Sequence, residues 1–156
     1  MDSDRHPHRM TGDDDPADVL ALIRAAFAGM EGRIDPPSSM HLLTPDAIAL
    51  QNETGEVWLI GRPPLACVFL TAKPDALYVG KLATASSARR QGLGRRLMAL
   101  AEMRAQALGL PALELQTRIE LTENHETFRA LGFVQVGATS HPGFDRPTSL
   151  TFRRAV

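Results

Sequence analysis

The sequence has 156 residues, of which 44% are hydrophobic and 22% charged, and it predicts one globular domain, residues 1–156, with an apolar core. The formal net charge of -1 argues against a nucleic-acid-binding protein, because such proteins usually carry a basic excess. A single cysteine, Cys67, excludes an intramolecular disulfide and a thiolate zinc cluster, and the longest apolar run, residues 65–70, is too short to cross a membrane.

The first 12 residues are polar, and we expect them to form a flexible or edge segment. They contain no apolar signal core, which favours a cytoplasmic protein. His6 and His8 lie in this segment without a third ligand nearby, so we expect no metal site.

Two helices are predicted next from their N-terminal signals. Asp15 followed by proline is typical of an N-cap and a first-turn proline, and an apolar stripe at three- and four-residue spacing continues to Met30. Thr44 followed by proline starts a second helix in the same way, and we expect that helix to end near Gln51 or Asn52.

Strands and helices mix in the rest of the chain. We predict strands at residues 56–60, 65–71, 76–84, 112–119, 133–137 and 149–153. Helices are predicted at residues 92–108 and 124–131. The central strand, long helix and strand imply a crossover between parallel neighbours, while the flanking strands imply antiparallel edges. The sequence therefore predicts an α/β (α+β) fold with a mixed sheet.

The segment from residue 82 to residue 97 carries the chemical signal. A strand ends, a polar loop follows, and Gly92 and Gly94 open a long helix. The first N–H groups of a helix have no internal partners, and glycines let an anion approach them closely. Four arginines crowd this helix start, where positive charge is unfavourable unless an anion binds: Arg89, Arg90, Arg95 and Arg96. The pattern predicts a phosphate or pyrophosphate site, without the strings of a Walker loop or a dinucleotide fingerprint.

The string Arg89-x-x-Gly92-x-Gly94 resembles the R/Q-x-x-G-x-G/A signature of the GNAT superfamily of acetyl-CoA-dependent N-acetyltransferases. Asn124 lies four residues before Phe128, and Gly132-Phe133 follow that aromatic residue; this order is similar to a second signature of that family. The resemblance implies a twisted sheet of about six to seven strands, splayed at its centre, with helices on both faces. It also implies a set of cofactor-binding residues: Leu82, Ala83, Thr84, Arg89, Arg90, Gln91, Gly92, Leu93, Gly94, Arg95, Asn124 and Phe128. As an alternative, Asn124 caps the helix that it starts.

Phe128 departs from the family pattern, in which many members carry a tyrosine that donates a proton to the leaving thiolate. The catalytic residues are therefore unassigned. Tyr78 and His125 are weak candidates, since a half-buried strand aromatic and a capping or exposed histidine explain them too. Further candidates for a base are His41, His141, Glu31, Asp35, Glu114 and a chain of waters.

We predict an enzyme that transfers an acetyl group from acetyl-CoA, as co-substrate and without a metal, to a primary amine by direct attack. The resemblance implies that backbone N–H groups at residues 82–84 stabilise the developing oxyanion. A covalent acyl-cysteine route is disfavoured, because Cys67 lies in an apolar strand with no basic neighbour apparent.

The acceptor is a small molecule or a protein amine, with no nucleic-acid or membrane partner, and the loops at residues 29–41 and 140–147 are expected to shape its pocket. A homodimer through the terminal strands is compatible with the pattern. Two alternatives stay open. One is a catalytically silent CoA- or acetyl-CoA-binding or sensing module, which Phe128 motivates, and the other is a nucleotide-phosphate binder outside the family.

Overall fold

A seven-stranded mixed sheet organises the chain. The computed structural model describes residues 5–30 and 32–156. In chain order the elements are β1 (His8–Arg9), α1 (Pro16–Phe27), α2 (Pro45–Thr54), β2 (Glu56–Ile60), β3 (Ala66–Ala72), β4 (Leu77–Thr84), α3 (Leu93–Ala107), β5 (Ala112–Arg118), α4 (Thr122–Ala130), β6 (Val134–Thr139) and β7 (Ser149–Ala155). Three short 3-10 helices lie in the connections, at Ala28–Met30, Ser39–Leu42 and Ser86–Ala88.

The strand order is β1-β2-β3-β4-β5-β7-β6, and only the β4–β5 pair is parallel. This arrangement confirms the predicted mixed sheet with a parallel centre. The β4–β5 ladder consists of Leu77 opposite Leu113 and Tyr78 opposite Glu114, after which the two strands separate. A cleft therefore opens in the middle of the sheet, as the family resemblance implies.

Two apolar cores lie on the two faces of the sheet. Helix α3 buries Leu97 and Ala101 in one core, against β3, β4 and β5. Helices α1 and α2 bury Ile23 and Ile48 in the other, against β2 and β3. Helices therefore cover both faces, as predicted, and the strands between them are buried on both sides.

Helix boundaries differ from the prediction where no local signal marks them. Asp15 caps α1 as predicted, accepting a hydrogen bond from the Ala17 N–H at 2.9 Å. The α-helix ends at Phe27, so Met30 lies in the 3-10 turn that follows. Helix α2 continues to Thr54, past its predicted end. Helix α4 begins at Thr122, two residues before the predicted start.

The amino-terminal segment supplies an edge strand. His8 lies opposite Leu59 and Arg9 opposite Trp58, so β1 is the short first strand of the sheet. The Arg9 guanidinium fixes the segment by donating to the Asn52 side chain at 2.7 Å. This strand therefore lies at the edge of the sheet, while residues 1–4 lie outside the described residues.

A bulge in β4 changes which side chains face each core. Cys67 pairs with Ala83 and Phe69 with Gly80, so Lys81 and Leu82 together lie opposite one residue of β3. The backbone at Lys81 has a φ of 49°, outside the extended region. As a result Ala83 faces the α1–α2 core, and Leu82 packs towards the α3 side.

A buried ion pair ties α3 to the edge of the sheet. Arg104 donates from Nε and from a terminal nitrogen to the two carboxylate oxygens of Glu56, each at 2.8 Å. The Trp58 indole donates to the same carboxylate at 2.7 Å. These bonds from Arg104, opposed in part by burial, hold the pKa of Glu56 below its ordinary value.

Replacing Glu56 with glutamine should lower the free energy of unfolding at pH 7 by about 1–3 kcal/mol, because Arg104 loses its charged partner. A carboxyl with a lowered folded-state pKa stabilises the fold above its unfolded pKa of about 4.5, and this contribution disappears as pH falls through the folded value. The difference in free energy of unfolding between wild type and variant should therefore disappear at acidic pH. Urea unfolding followed by circular dichroism at pH 7 and pH 3 measures it, with exposed Glu126→Gln as control. An equal gap at both pH values would contradict the assignment.

Candidate functional site

The start of α3 presents free backbone N–H groups to solvent. Gly92 occupies the N-cap position with φ 76° and ψ 15°, a left-handed conformation, and no side chain caps the helix. Apart from the adjoining residues and the backbone of the helix itself, no atom of the described residues lies within 4 Å of the position that a Cβ would take at Gly92 or at Gly94. The first turn therefore has both unsatisfied donors and open space in front of it.

Positive charge surrounds this helix start. Arg89, Arg90 and Arg95 are exposed, and no carboxylate among the described residues pairs with them. Arg96 differs, because its guanidinium donates to the Arg5 carbonyl oxygen at 3.0 Å. Three guanidinium groups without a carboxylate partner in the described part of the chain lie beside a helix N-terminus, an arrangement that attracts a multiply charged anion.

Two cavities meet at the splayed centre of the sheet. One, of about 720 Å³, extends from the start of α3 to α4 and we call it the α3 cavity. The other, of about 420 Å³, lies between β4 and β5 under α1, α4 and the loop at residues 140–147, and we call it the cleft cavity. Leu82 and Phe128 line both. These two side chains therefore lie where the cavities adjoin.

Most of the predicted cofactor-binding residues line the α3 cavity. They are Leu82, Thr84, Arg89, Arg90, Gly92, Leu93, Gly94, Arg95 and Phe128. Ala83 is buried against the opposite core, because the bulge turns it away, and Gln91 is exposed outside the lining. Asn124 lines the cleft cavity instead.

The structure corrects the capping alternative for Asn124 and the exposed alternative for His125. Asn124 lies inside the first turn of α4, where its amide donates to the Thr117 hydroxyl at 3.3 Å. His125 is buried, with Nε2 3.0 Å from the Arg118 carbonyl oxygen, and it lines neither cavity. Its geometry is that of a side chain that fixes α4 to the end of β5.

Tyr78 lies in the cleft cavity, at the last point where β4 and β5 still pair. Burial, and then the nearby charge of Glu114, raise the pKa of its phenol. The Lys73 ammonium group lies 4.8 Å from the ring centroid. The phenol is therefore protonated near neutral pH.

His141 is the one candidate histidine among the described residues that lines the cleft cavity. Its Nδ1 contacts the hydroxyl of Thr148, which also accepts the His141 backbone N–H at 2.9 Å. Thr148 is fully buried, so the imidazole is held by a rigid partner. His41 lies outside the lining.

The carboxylate candidates are placed elsewhere. Asp35 is exposed and pairs with Arg146 at 3.4 Å. Burial alone would raise the pKa of the Glu114 carboxyl, but hydrogen bonds and charges from Lys73 and Arg153 outweigh it and hold the pKa below its ordinary value. Neither carboxylate lines the cleft cavity, and Glu31 lies outside the described residues.

Two cationic residues of the cleft cavity are missing from the sequence prediction. Lys81 comes from the bulge of β4, and burial lowers the pKa of its ammonium group. Arg118 comes from the end of β5. Their positions depend on the bulge and on the separation of the strands, which local patterns do not reveal.

Cys67 is buried, as predicted, and burial raises the pKa of its thiol to about 12. Such a thiol is protonated at neutral pH and is a poor nucleophile. Within residues 5–30 and 32–156, no group of three or more His, Cys, Asp or Glu side chains is placed to hold a metal ion. None of the helices in the described ranges combines the length and the apolar character needed to span a bilayer.

Comparison with solved structures shows the same fold at low sequence identity. An acetyltransferase from Streptococcus agalactiae 2603 is 17% identical with a TM-score of 0.73, and the match covers 97% of this chain and 98% of that one. The ribosomal-protein-S18-alanine N-acetyltransferase of Escherichia coli is 15% identical with a TM-score of 0.69, covering 96% and 92%. A chain of the NatC complex bound to Gag peptide and CoA is 15% identical with a TM-score of 0.68, covering 96% and 97%.

No curated protein matches the sequence significantly. The model of the Acetyltransferase (GNAT) family matches residues 22–133, which include the splayed strands, the glycine-opened start of α3 and the whole of α4. Sequence and fold agree, and the chain belongs to the GNAT acetyltransferase family.

Proposed function

We propose that this protein transfers an acetyl group from acetyl-CoA to a primary amine by direct attack, and that residues 1–156 form one catalytic domain. The observation that carries the proposal is the meeting of the two cavities at Leu82 and Phe128. One cavity has the donors and charges that suit a pyrophosphate, and the other leads into the sheet. Family membership overturns the alternative of a nucleotide-phosphate binder outside the family.

The residues of the α3 cavity fit CoA by their chemistry. Free N–H groups at the start of α3 and the guanidinium groups of Arg89, Arg90 and Arg95 would hold the pyrophosphate. Acetyl-CoA supplies an acetyl group activated as a thioester. A solved structural neighbour, the NatC complex, is bound to CoA, which supports this ligand.

Beyond Tyr78 the β4 backbone has no β5 partner, so amide groups on this edge remain available to the reacting carbonyl. We propose that these N–H groups stabilise the negative charge that develops on the carbonyl oxygen. In the transfer, the amine nitrogen forms a bond to the acetyl carbon, the carbon–sulfur bond breaks, and CoA leaves with the electron pair on sulfur.

Removing the proton from the amine is the larger energetic problem. Deprotonating an alkylamine with a pKa near 10.4 costs about 4–5 kcal/mol at pH 7. For a thiol with a pKa near 8.5, leaving as the thiolate without a proton donor costs only about 2 kcal/mol at the same pH. Phe128 therefore costs the enzyme less than a missing base would. We propose that His141 accepts the amine proton, directly or through water, because Thr148 holds its ring in the cleft cavity.

The experiment has two stages. Calorimetric titration with acetyl-CoA measures binding, and thiol release with a broad panel of amines measures transfer. The proposal expects a saturable titration and release of CoA with at least one amine. Absence of binding would refute it. Binding without turnover would favour the silent module that Phe128 suggests, above all if Phe128→Tyr created turnover.

A further inference from the structure

The cleft cavity has a cationic lining. Lys81 of β4 and Arg118 of β5 line it from the two strands that separate, and no Asp or Glu side chain of residues 5–30 and 32–156 lines it. An amine acceptor is itself a cation in water, so a lining of this sign would repel a polyamine or another polycation. An acceptor that carries an anionic group of its own would offset this repulsion.

Arg118 differs from three other half-buried arginines of the chain. Those arginines pair with carboxylates: Arg104 with Glu56, Arg153 with Glu114 and Arg154 with Glu102. Arg118 is half-buried, and no carboxylate among the described residues pairs with it. One of its terminal nitrogens donates to the Pro36 carbonyl oxygen, which anchors the loop before α2 over the cleft.

One of the other donors of Arg118 is unsatisfied. Its Nε is buried and has no hydrogen-bond partner within residues 5–30 and 32–156. Arginine stays charged in proteins, and an unpaired guanidinium in a partly buried site is costly unless an anion completes it. The planar guanidinium suits a carboxylate, which it binds with paired hydrogen bonds.

We propose that the acceptor is a small amine that also carries a carboxylate, such as a free amino acid, and that Arg118 binds this carboxylate. The inference rests on the proposed acetyl transfer. The carboxylate lies at Arg118 on the β5 wall, while the amine reaches the junction at Leu82 and Phe128. A cavity of about 420 Å³ has room for a molecule of this size beside the thioester end of the cofactor.

The test compares free amino acids with their carboxamides as acceptors. We expect kcat/KM to be higher for the acids, and Arg118→Gln to lower the acid-to-amide ratio by about 10- to 100-fold. The acid and the amide differ in amine pKa, but this difference cancels when the ratio is compared between wild type and variant. Arg118→Lys keeps the positive charge and should retain part of the preference for the acid over the amide. This variant therefore separates the effect of the charge from the effect of losing the guanidinium hydrogen bond to Pro36. Arg24→Gln, an exposed change on α1 outside both cavities, should leave the ratio unchanged.

A binding measurement keeps the test independent of turnover. In the presence of CoA, N-acetyl amino acids should raise the melting temperature more than N-acetyl carboxamides, and Arg118→Gln should abolish the difference. Equal shifts for acids and amides would overturn the inference. If amines are acetylated but Arg118→Gln does not change the acid-to-amide ratio of kcat/KM, the inference fails while the proposed function stands. If no amine is acetylated, the proposed function fails, and the melting temperatures alone decide on the carboxylate site.

Discussion

Replacing Gly94 with leucine should raise the Kd for acetyl-CoA by about 100-fold while leaving the protein as stable as before or slightly more stable. Beyond the adjoining residues and the helix backbone, no atom of the described residues lies within 4 Å of the added Cβ, so we expect the fold to tolerate the side chain. Leucine also favours a helix over glycine by about 0.8 kcal/mol. The leucine would occupy the space in which the pyrophosphate approaches the first turn of α3.

Calorimetric titration gives the affinity, and thermal unfolding without ligand gives the stability. Gly94→Ala, which adds one methyl group, should have a much smaller effect on Kd. Gly12→Leu is the matched control, since Gly12 also has open space around it but lies far along the chain from α3. An unchanged Kd in Gly94→Leu would show that the anion does not bind at this helix start.

Replacing His141 with glutamine should lower kcat by about 10²- to 10³-fold at pH 7 without changing the Kd for acetyl-CoA. The side chain lines the cleft cavity and not the α3 cavity, so cofactor binding should be preserved. As the pH rises towards the pKa of the amine, about 10.4, the acceptor loses its proton unaided. The deficit of the variant should therefore shrink with increasing pH.

Initial rates of wild type and variant, measured from pH 6 to pH 10, test this assignment. Thr148→Val keeps the imidazole but removes the hydroxyl that holds it, and should cost about 10-fold as a positioning effect. His6→Gln, an exposed change near the amino terminus, is the control. A deficit that is the same at every pH would assign His141 a structural role instead.

Local signals in the sequence were sufficient for much of the fold. The proline after Asp15 and the proline after Thr44 marked two helix starts, and the strand at residues 56–60 was predicted with the bounds that the structure gives it. These signals depend on caps and on alternation, which act within a few residues. Helix α4 begins at Thr122, and its N-cap residue, Leu121, has no side chain that can cap the helix. The predicted start of this helix was two residues late.

The cleft itself depends on contacts between distant residues. The bulge at Lys81 sends Ala83 to one core and Leu82 to the other, and no local pattern marks it. His125 is buried because α4 packs it near the ring of Phe152, with the two ring centroids 5.9 Å apart. Arg118 lines the cleft cavity only because β5 separates from β4. The cofactor-binding residues stay predictions, although most of them line one cavity.

The short β4–β5 ladder has a consequence for the cohesion of the molecule. Backbone hydrogen bonds fasten strands β1 to β4 to strands β5 to β7 at one end only, through two residue pairs. Elsewhere the two halves are held together by side-chain packing, which includes α3, so the width of the cleft between β4 and β5 depends on that packing. Ligands bound in the cleft would contact both halves, and we expect the protein to be most rigid when its substrates are bound.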